Sequence, residues 1–226
     1  MPGASCRRAA NQPCRQRQAS ALGCSAFGCV LVSWGQILVQ VVGTDIEDVK
    51  LIKLRVFGDE RGRFFETWSL QKFTEAGLPM NFVQDNQASS AAAGTMRGLH
   101  YQTAPNSQGK LIGVIRGAIF DVAVDIRRGS PSFGRSIGVT LTAAEPSRLW
   151  VPAGFAHGYV TLEPDTEVVY KVTSGYAPQA EGGIRWDDPE LGIDWPIPPA
   201  GMTVNDRDRS WPRLADAPAH FQYGAA

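Results

Sequence analysis

Short clusters of polar and charged residues interrupt segments that otherwise have the composition of β-strands. The clusters span residues 59–66, 84–86, 97–102, 109–110, 152–158 and 170–171. Charged and amide groups in strands cost free energy unless they pair or line a wet cavity, so the clusters predict a polar cavity. The chain has three histidines, His100, His157 and His220, and imidazole is the side chain that titrates near neutral pH. Two of the three lie in these clusters, which favours proton transfer as the chemistry of the cavity.

Several other kinds of chemistry lose support because their motifs are missing from the sequence. There is no G-x-G-x-x-G, no phosphate loop ending in Gly-Lys-Ser/Thr, no H-E-x-x-H and no G-x-S-x-G. Lys and Arg together number 22, as do Asp and Glu, so no overall positive charge attracts nucleic acid or acidic membranes. No uninterrupted apolar run is long enough for a transmembrane helix. We therefore expect neither a nucleic-acid partner nor a membrane partner.

The elements that position these clusters are predicted to be short strands joined by tight turns. Apolar residues alternate with polar ones over 51–57 and 120–126, which is typical of strands. Further strand candidates are residues 110–115, 136–141, 149–151, 158–162 and 167–172. One short helix is predicted over 70–76, with Ser69 as its N-cap and Gly77 as its stop. The proline-rich stretch 195–199 cannot form a regular element and predicts a tail packed over the body. The spacing resembles an all-β sandwich or barrel.

The first residues differ from the rest of the chain. The first 44 residues carry four arginines, no acidic residue and all four cysteines, whose spacing does not match the paired knuckles of a zinc site. We expect residues 1–38 to be a non-conforming N-terminal extension, disordered or the result of a mis-assigned start, and 39–226 to form a single domain. The arginines and the apolar stretch 26–32 also have features of a secretory signal or a transit peptide, but 34–36 is not a small-residue cleavage site. The cysteine-free remainder fits a reducing compartment, which favours a cytoplasmic protein.

The polar clusters also carry a resemblance to a known family. Residues 57–66, 82–86, 97–102, 121–134 and 150–158 resemble the corresponding motifs of the dTDP-4-dehydrorhamnose 3,5-epimerases, in order and spacing, over about residues 40–210. The resemblance implies a cupin-type jelly roll with a few short helices and an irregular C-terminal tail, and a homodimer that needs no metal or organic cofactor. It also implies a reaction, the conversion of dTDP-4-dehydro-6-deoxy-D-glucose to dTDP-4-dehydro-L-rhamnose on the route to dTDP-L-rhamnose.

Such a substrate asks for particular groups. Its C4 ketone acidifies the protons at C3 and C5, so inversion needs a base on one face of the sugar, a group that stabilises the enolate, and a proton donor on the other face. His100 is the candidate base. The resemblance implies Lys110 as the enolate-stabilising group and Tyr170 as the donor. It also implies Asp206 as the carboxylate that orients His100, with Asp208 in the same charge run as the alternative.

The resemblance also implies a set of residues that bind the nucleotide sugar. These are Arg61, Glu66, Gln84, Asp85, Asn86, Arg97, His157 and Glu181. Arginine forks suit phosphate oxygens, although Arg61 and Arg97 could instead form ordinary ion pairs. Asn205 stands where the family often has a lysine that contacts the substrate. His157 ends a stretch similar to the second cupin motif, but the His-x-His pair of a metal cupin is missing, so we expect no metal.

Two points stay open in the sequence. Arg97 and His100 are three residues apart, so a regular strand would point their side chains to opposite faces. A bulge at Gly98 is predicted to bring both side chains to the inner face. The activity could also be a 5- or 3-mono-epimerisation of a dTDP-4-keto sugar, governed by the placement of Tyr170 and Tyr176. A non-catalytic cupin that only binds the sugar nucleotide is the third alternative.

Overall fold

The structure is a computed structural model that describes residues 39–78 and 80–224. The predicted extension over 1–38 lies outside the described residues. The strands are β1 (Val39–Gly43), β2 (Lys50–Leu54), β3 (Phe57–Asp59), β4 (Gly62–Phe64), β5 (Gln84–Ser90), β6 (Met96–Gln102), β7 (Lys110–Arg116), β8 (Ala118–Asp125), β9 (Arg127–Arg128), β10 (Ser136–Thr142), β11 (Ser147–Val151), β12 (Phe155–Thr161), β13 (Thr166–Val172), β14 (Glu181–Gly183) and β15 (Phe221–Gln222). The α-helices are α1 (Leu70–Glu75) and α2 (Asp206–Ser210), and three 3-10 turns cover Pro178–Ala180, Pro189–Leu191 and Pro199–Gly201.

Two antiparallel sheets form a sandwich of the jelly-roll type, which confirms the predicted all-β class. The larger sheet has the strand order β1-β2-β11-β7-β13-β5, and the smaller has the order β10-β8-β12-β6-β14. Neighbours in the sheets are mostly distant in the chain, so long-range pairing holds the fold together. The hairpin of β3 and β4 stands apart as a two-stranded sheet of its own. The predicted strand over 51–57 is therefore divided, because Phe57 pairs with Phe64 in this hairpin.

Apolar side chains form three layers around the two sheets. The layer between the sheets includes Ile112 and Val168 from the larger sheet and Ile119 and Tyr159 from the smaller. The outer face of the smaller sheet is covered by the C-terminal tail, which contributes residues such as Leu214. The tail was predicted to lack regular elements, and it contains only short turns, α2 and the two-residue strand β15. Each strand of the sandwich thus has one face toward the inner layer, and side chains at alternate positions share that face.

Helix α1 covers part of the outer face of the larger sheet. The Ser69 side chain accepts a hydrogen bond from the Lys72 backbone N–H at 3.5 Å, and Gly77 has a φ of +78°, so the predicted cap and stop are confirmed. Phe73 is fully buried in the layer under the helix, beside Leu111 of β7. Within the part of the chain that the structure describes, no helix has the length and apolar character to cross a membrane.

Candidate active site

The inner face of the smaller sheet carries two rows of polar side chains. In the first row His157 of β12 is paired with His100 of β6, and in the second Tyr159 is paired with Arg97. The register shifts between the two pairs, so Arg97 and His100 share the inner face although they are three residues apart. Residues paired across antiparallel strands project from the same face of the sheet. The predicted bulge at Gly98 is therefore confirmed.

Glycine is required at this irregularity. Gly98 has a φ of +132°, and a Cβ there would lie 2.5 Å from the Cα of Gly158 on the neighbouring strand. A Cβ on Gly158 would in turn lie 2.6 Å from the Arg97 carbonyl oxygen. Side chains at either position would force β6 and β12 apart. The two glycines thus permit the close approach that brings both imidazoles to the same row.

His100 forms a close pair with Asp208. Its Nε2 lies 2.6 Å from Asp208 Oδ1, and Asp208 Oδ2 accepts a hydrogen bond from the Gly98 backbone N–H at 3.1 Å. Burial alone would raise the pKa of Asp208, but the hydrogen bonds from His100 and Gly98 hold it below its usual value. The ionised carboxylate therefore fixes the imidazole with its Nε2–H toward Asp208, which leaves Nδ1 as the proton acceptor.

The structure corrects the predicted partner of His100 from Asp206 to Asp208. Asp206 is the exposed first residue of α2, whereas Asp208 is buried two residues later. Two residues correspond to about 200° around a helix, so the two carboxylates point to opposite sides. Asn205, where the resemblance led us to expect a substrate-binding lysine, is the N-cap of α2, and its side chain accepts a hydrogen bond from the Asp208 N–H at 2.7 Å. Arg207 instead reaches the site, with Nη1 at 2.9 Å from Glu181 Oε2.

A second His–Asp pair lies beside His100 on the inner face of the smaller sheet. His157 Nε2 is 2.7 Å from Asp121 Oδ1, and both residues are buried. Burial lowers the pKa of His157, and the neighbouring Asp121 carboxylate opposes that effect. Asp121 is not among the site residues predicted from the sequence. Its alternation with Val122 on β8, which places it on the face of Ile119 and Ala123, was the signal that could have found it.

The larger sheet supplies Lys110 and Tyr170 from the opposite side of the sandwich. Lys110 begins β7, and its Nζ lies 3.4 Å from the His100 carbonyl oxygen. Burial lowers the pKa of Lys110 to about 8, while the charges of Asp121 and Glu181 act against this shift. Tyr170 lies on β13 between Asn86 and Ile112, and burial raises the pKa of its phenol. Lys110 is thus mostly a cation at neutral pH, and Tyr170 is a neutral proton donor.

A cavity of about 320 Å³ separates the two sheets at this end of the molecule. Its lining residues are Gln84, Asn86, His100, Tyr101, Gln102, Gln108, Lys110, Tyr170, Tyr176 and Glu181. Six of the predicted site residues therefore share one cavity. His157 lies directly behind His100 in the same row, and Arg97 lies at the edge, where its Nη2 donates to the Ser89 carbonyl at 3.2 Å.

Besides His157 and Arg97, three more of the predicted substrate-binding residues lie outside the lining of this cavity. Arg61 is at the tip of the exposed β3–β4 hairpin, where its side chain pairs with Asp59. Glu66 accepts a hydrogen bond from Lys72 at 2.8 Å. Asp85 points to the outer face of the larger sheet and pairs with Lys171 at 2.7 Å, because only the alternate residues Gln84 and Asn86 face inward. Their contacts with substrate remain predictions.

The donor set around the two imidazoles does not favour a metal. Within residues 39–78 and 80–224, no three His, Cys, Asp or Glu side chains come together in a group that could hold a metal ion. The Nε2 atoms of His100 and His157 are each engaged by a carboxylate. Two imidazoles without further ligands make a poor first-row metal site. The residues fit proton transfer better than metal binding.

Comparisons with known proteins identify the family of this chain. The family profile described as dTDP-4-dehydrorhamnose 3,5-epimerase matches residues 43–216. A dTDP-4-dehydrorhamnose 3,5-epimerase from Sinorhizobium fredii is 47% identical over 178 residues, which are 79% of this chain and 91% of the relative. The structure of a dTDP-6-deoxy-D-glucose-3,5-epimerase from Legionella pneumophila, in complex with dTDP-4-keto-L-rhamnose, has a TM-score of 0.79 and 39% identity, and covers 83% of this chain and 100% of that one.

A related activity occurs on the same fold. The structure of a 3'-monoepimerase from Streptomyces bikiniensis, in complex with dTDP-quinovose, has a TM-score of 0.72 and 36% identity, and covers 76% of this chain and 87% of that chain. The two structures share the sandwich but differ in the named activity. The family profile spans most of the chain, and the relative from Sinorhizobium is far above the similarity that indicates common descent. This chain therefore belongs to the dTDP-4-dehydrorhamnose 3,5-epimerase family.

Proposed function

We propose that this isomerase inverts both C3 and C5 of dTDP-4-dehydro-6-deoxy-D-glucose and releases dTDP-4-dehydro-L-rhamnose, in the cytoplasm and without a cofactor, as a step of dTDP-L-rhamnose biosynthesis. One observation carries the proposal. His100 of the smaller sheet, paired with Asp208 of α2, lines the same cavity as Lys110 and Tyr170 of the larger sheet. A base, a cation and a proton donor are the three groups that epimerisation beside a ketone requires.

The two sheets correspond to the two faces of the sugar ring. His100 Nδ1 takes the proton from the carbon beside the C4 ketone, while Asp208 stabilises the imidazolium that forms. The negative charge moves to the C4 oxygen, where the Lys110 ammonium stabilises the enolate. Tyr170 then delivers a proton to the same carbon from the other face. Removal from one side and return from the other inverts the carbon. His100 then releases its proton to solvent and Tyr170 regains one from solvent, so the same steps can repeat at the second carbon.

Exchange with solvent tests the proposed reaction. The enzyme is incubated with dTDP-4-dehydro-6-deoxy-D-glucose in deuterium oxide, and the sugar is analysed by NMR. We expect deuterium at both C3 and C5, because each carbon loses one proton to His100 and gains another from the opposite side. Label at one carbon only indicates a mono-epimerase. No label in a protein that binds dTDP indicates a binding protein, and either result contradicts the proposal.

Mono-epimerisation is the second candidate because a related 3'-monoepimerase has the same fold. Tyr176 is the residue of this cavity whose position bears on the choice. It lies at the exposed mouth, and its hydroxyl donates to Glu181 Oε2 at 3.3 Å. If Tyr176 holds the sugar ring in the cavity long enough for a second deprotonation, the sugar is inverted at two carbons. The higher identity to the named 3,5-epimerase of Sinorhizobium favours the double reaction.

We also propose a homodimer in which the β3–β4 hairpin of one subunit completes the cavity of the other. Arg61 is a predicted substrate-binding residue, yet it lies at the tip of a hairpin outside the cavity of its own chain. The hairpin also exposes two large apolar side chains, Phe57 at 43% and Phe64 at 72%. Exposed apolar groups on a projecting hairpin are typical of a segment that docks on another molecule. A second copy of the chain supplies a cavity that needs a cation for the pyrophosphate.

Mixed dimers test this arrangement. A dimer of one Arg61→Ala subunit and one His100→Asn subunit contains one complete cavity if Arg61 acts across the interface, and we expect about half of the wild-type activity. The matched control pairs a wild-type subunit with an Arg61→Ala/His100→Asn subunit, which carries the same two substitutions in one chain. That dimer is expected to be inactive. The opposite result, an active control and an inactive first dimer, assigns Arg61 to its own cavity, and a monomeric enzyme also contradicts the proposal.

A further inference from the structure

Two buried polar atoms of the inner face lack a hydrogen-bond partner among the residues that the structure describes. They are the hydroxyl of Tyr159 and Oδ2 of Asp121. Tyr159 is 5% exposed and Asp121 is fully buried. A buried donor or acceptor without a partner is costly, so native proteins supply one, often an ordered water molecule. Neither atom has a place in the proton-transfer steps derived above.

The two atoms belong to neighbouring residues. Tyr159 of β12 is the cross-strand partner of Asp121 of β8, so both side chains project from the inner face of the smaller sheet. Directly paired residues have Cβ atoms about 5 Å apart. The phenol ring is much longer than the carboxylate, which carries the hydroxyl farther toward the middle of the sandwich. The two atoms form no direct hydrogen bond with each other, and a donor and an acceptor on directly paired residues can be bridged by one water molecule.

Asp121 connects this location to the active site. Its Oδ1 holds His157 Nε2 at 2.7 Å, and its charge acts on Lys110. The charged and titratable groups that act on Asp121, His157 and Tyr159 are Arg97 and His100 of β6, Lys110 of β7 and Tyr170 of β13, and Glu181 of β14 acts in turn on Lys110. Burial raises the pKa of Tyr159, so its hydroxyl stays protonated and acts as a donor.

We propose that Tyr159 is a positioning residue for the Asp121–His157 pair and acts through one ordered water molecule, which accepts a hydrogen bond from the Tyr159 hydroxyl and donates one to Asp121 Oδ2. The water completes the hydrogen bonding of the carboxylate, which stays ionised and keeps His157 with its proton on Nε2. His157 then presents Nδ1 as an acceptor next to His100. The catalytic significance of this positioning rests on the proposed epimerisation, whereas the water site does not.

Tyr159→Phe tests the proposal because it removes one oxygen atom and keeps the ring. Loss of the bridge removes a donor from Asp121, so the Asp121–His157 pair binds a proton more tightly, and we expect the pKa of His157 to rise in an NMR titration of its imidazole. The acidic side of the pH profile of kcat is expected to shift to higher pH as well. At neutral pH kcat is expected to fall about fivefold, which corresponds to the free energy of about one hydrogen bond. KM is expected to stay within about twofold of the wild-type value.

Stability and crystallography give readouts that do not depend on activity. The Tm of Tyr159→Phe is expected to fall, because a bridged hydroxyl stabilises the fold, and a crystal structure of the wild-type protein is expected to show the water between the two atoms. Thr166→Val is the matched control, since it removes a buried hydroxyl that donates to the Glu163 carbonyl at 2.8 Å, away from Asp121. The control should lower Tm and leave the His157 titration unchanged.

The possible results separate this proposal from the proposed function. A higher Tm in Tyr159→Phe with an unchanged His157 titration means that the hydroxyl is unsatisfied in the native protein, and it overturns the proposal. Direct contact between the hydroxyl and Asp121 in the crystal overturns the water bridge. Absence of epimerase activity in the wild-type protein, with the water and the titration shift both observed, refutes the proposed function and leaves the positioning of His157 standing.

Discussion

Replacement of His100 by asparagine is expected to lower kcat by about a thousandfold, within the range of about 10² to 10⁴ that a positioned acid–base group contributes. Asparagine retains a group that can hydrogen-bond to Asp208, so the packing around α2 is preserved, but it has no atom that accepts a proton near neutral pH. The rate of epimerisation and the exchange of deuterium at C3 and C5 are measured together. Both are expected to fall in parallel, because the same base starts the reaction at each carbon.

His220 provides the matched control for this substitution. It is an exposed histidine beside Tyr101 and lies outside the cavity lining, so His220→Asn should leave both rates within about twofold of wild type. Loss of exchange at one carbon only in His100→Asn would mean that a different base serves the second carbon. His157 would then be the group to examine, because it is the other imidazole on the inner face. Retention of exchange at both carbons contradicts the assignment of His100.

Replacement of Asp208 by asparagine is expected to lower kcat by about 10² to 10⁴, as in other His–Asp pairs where an amide favours the wrong imidazole tautomer. The Asp208 side chain is 1% exposed and has His100 and the Gly98 N–H as partners, so the amide also disturbs the bulge of β6. Asp206→Asn is the control in the same helix turn. Asp206 is exposed, and its substitution is expected to change kcat by less than about twofold.

This pair of variants distinguishes the two carboxylates that the sequence left as alternatives. Equal losses in both variants would point to the charge of α2 as a whole rather than to contact with His100. A large loss in Asp206→Asn alone would contradict the geometry. Binding of dTDP, measured separately, should be retained by both variants, because neither carboxylate lines the cavity.

The strands of the sandwich were predictable because their signals are local. Alternation over 120–126 appears as β8, and the cap and stop of α1 lie at Ser69 and Gly77 as expected. The bulge in β6 was also predictable, since opposite parity at Arg97 and His100 leaves few other ways to point both inward. These features depend on a few adjacent residues and on the regular alternation of side chains along a strand.

The site was less predictable where it depends on contacts between distant segments. The choice between Asp206 and Asp208 depends on where α2 begins, and a run of alternating charges does not indicate the phase of a five-residue helix. The alternation of β8 places Asp121 on the inner face, but its contact with His157 depends on the pairing of β8 with β12, which the sequence does not show. Arg61 shows the same limit at a larger scale, because the sequence indicates the arginine, whereas the structure places it on a hairpin outside the cavity of its own chain.

Because His100 and Tyr170 lie on different sheets, the distance between the base and the donor depends on the spacing of the two sheets. Packed sheets lie about 10 Å apart, and side chains such as Val168 and Ile112 act as the spacers that set this distance. The donor and the base approach the ring only as closely as these spacers allow. In the proposed mechanism, the thickness of this apolar layer therefore limits how closely the base and the donor approach the two faces of the sugar, although the layer itself has no place in the chemistry.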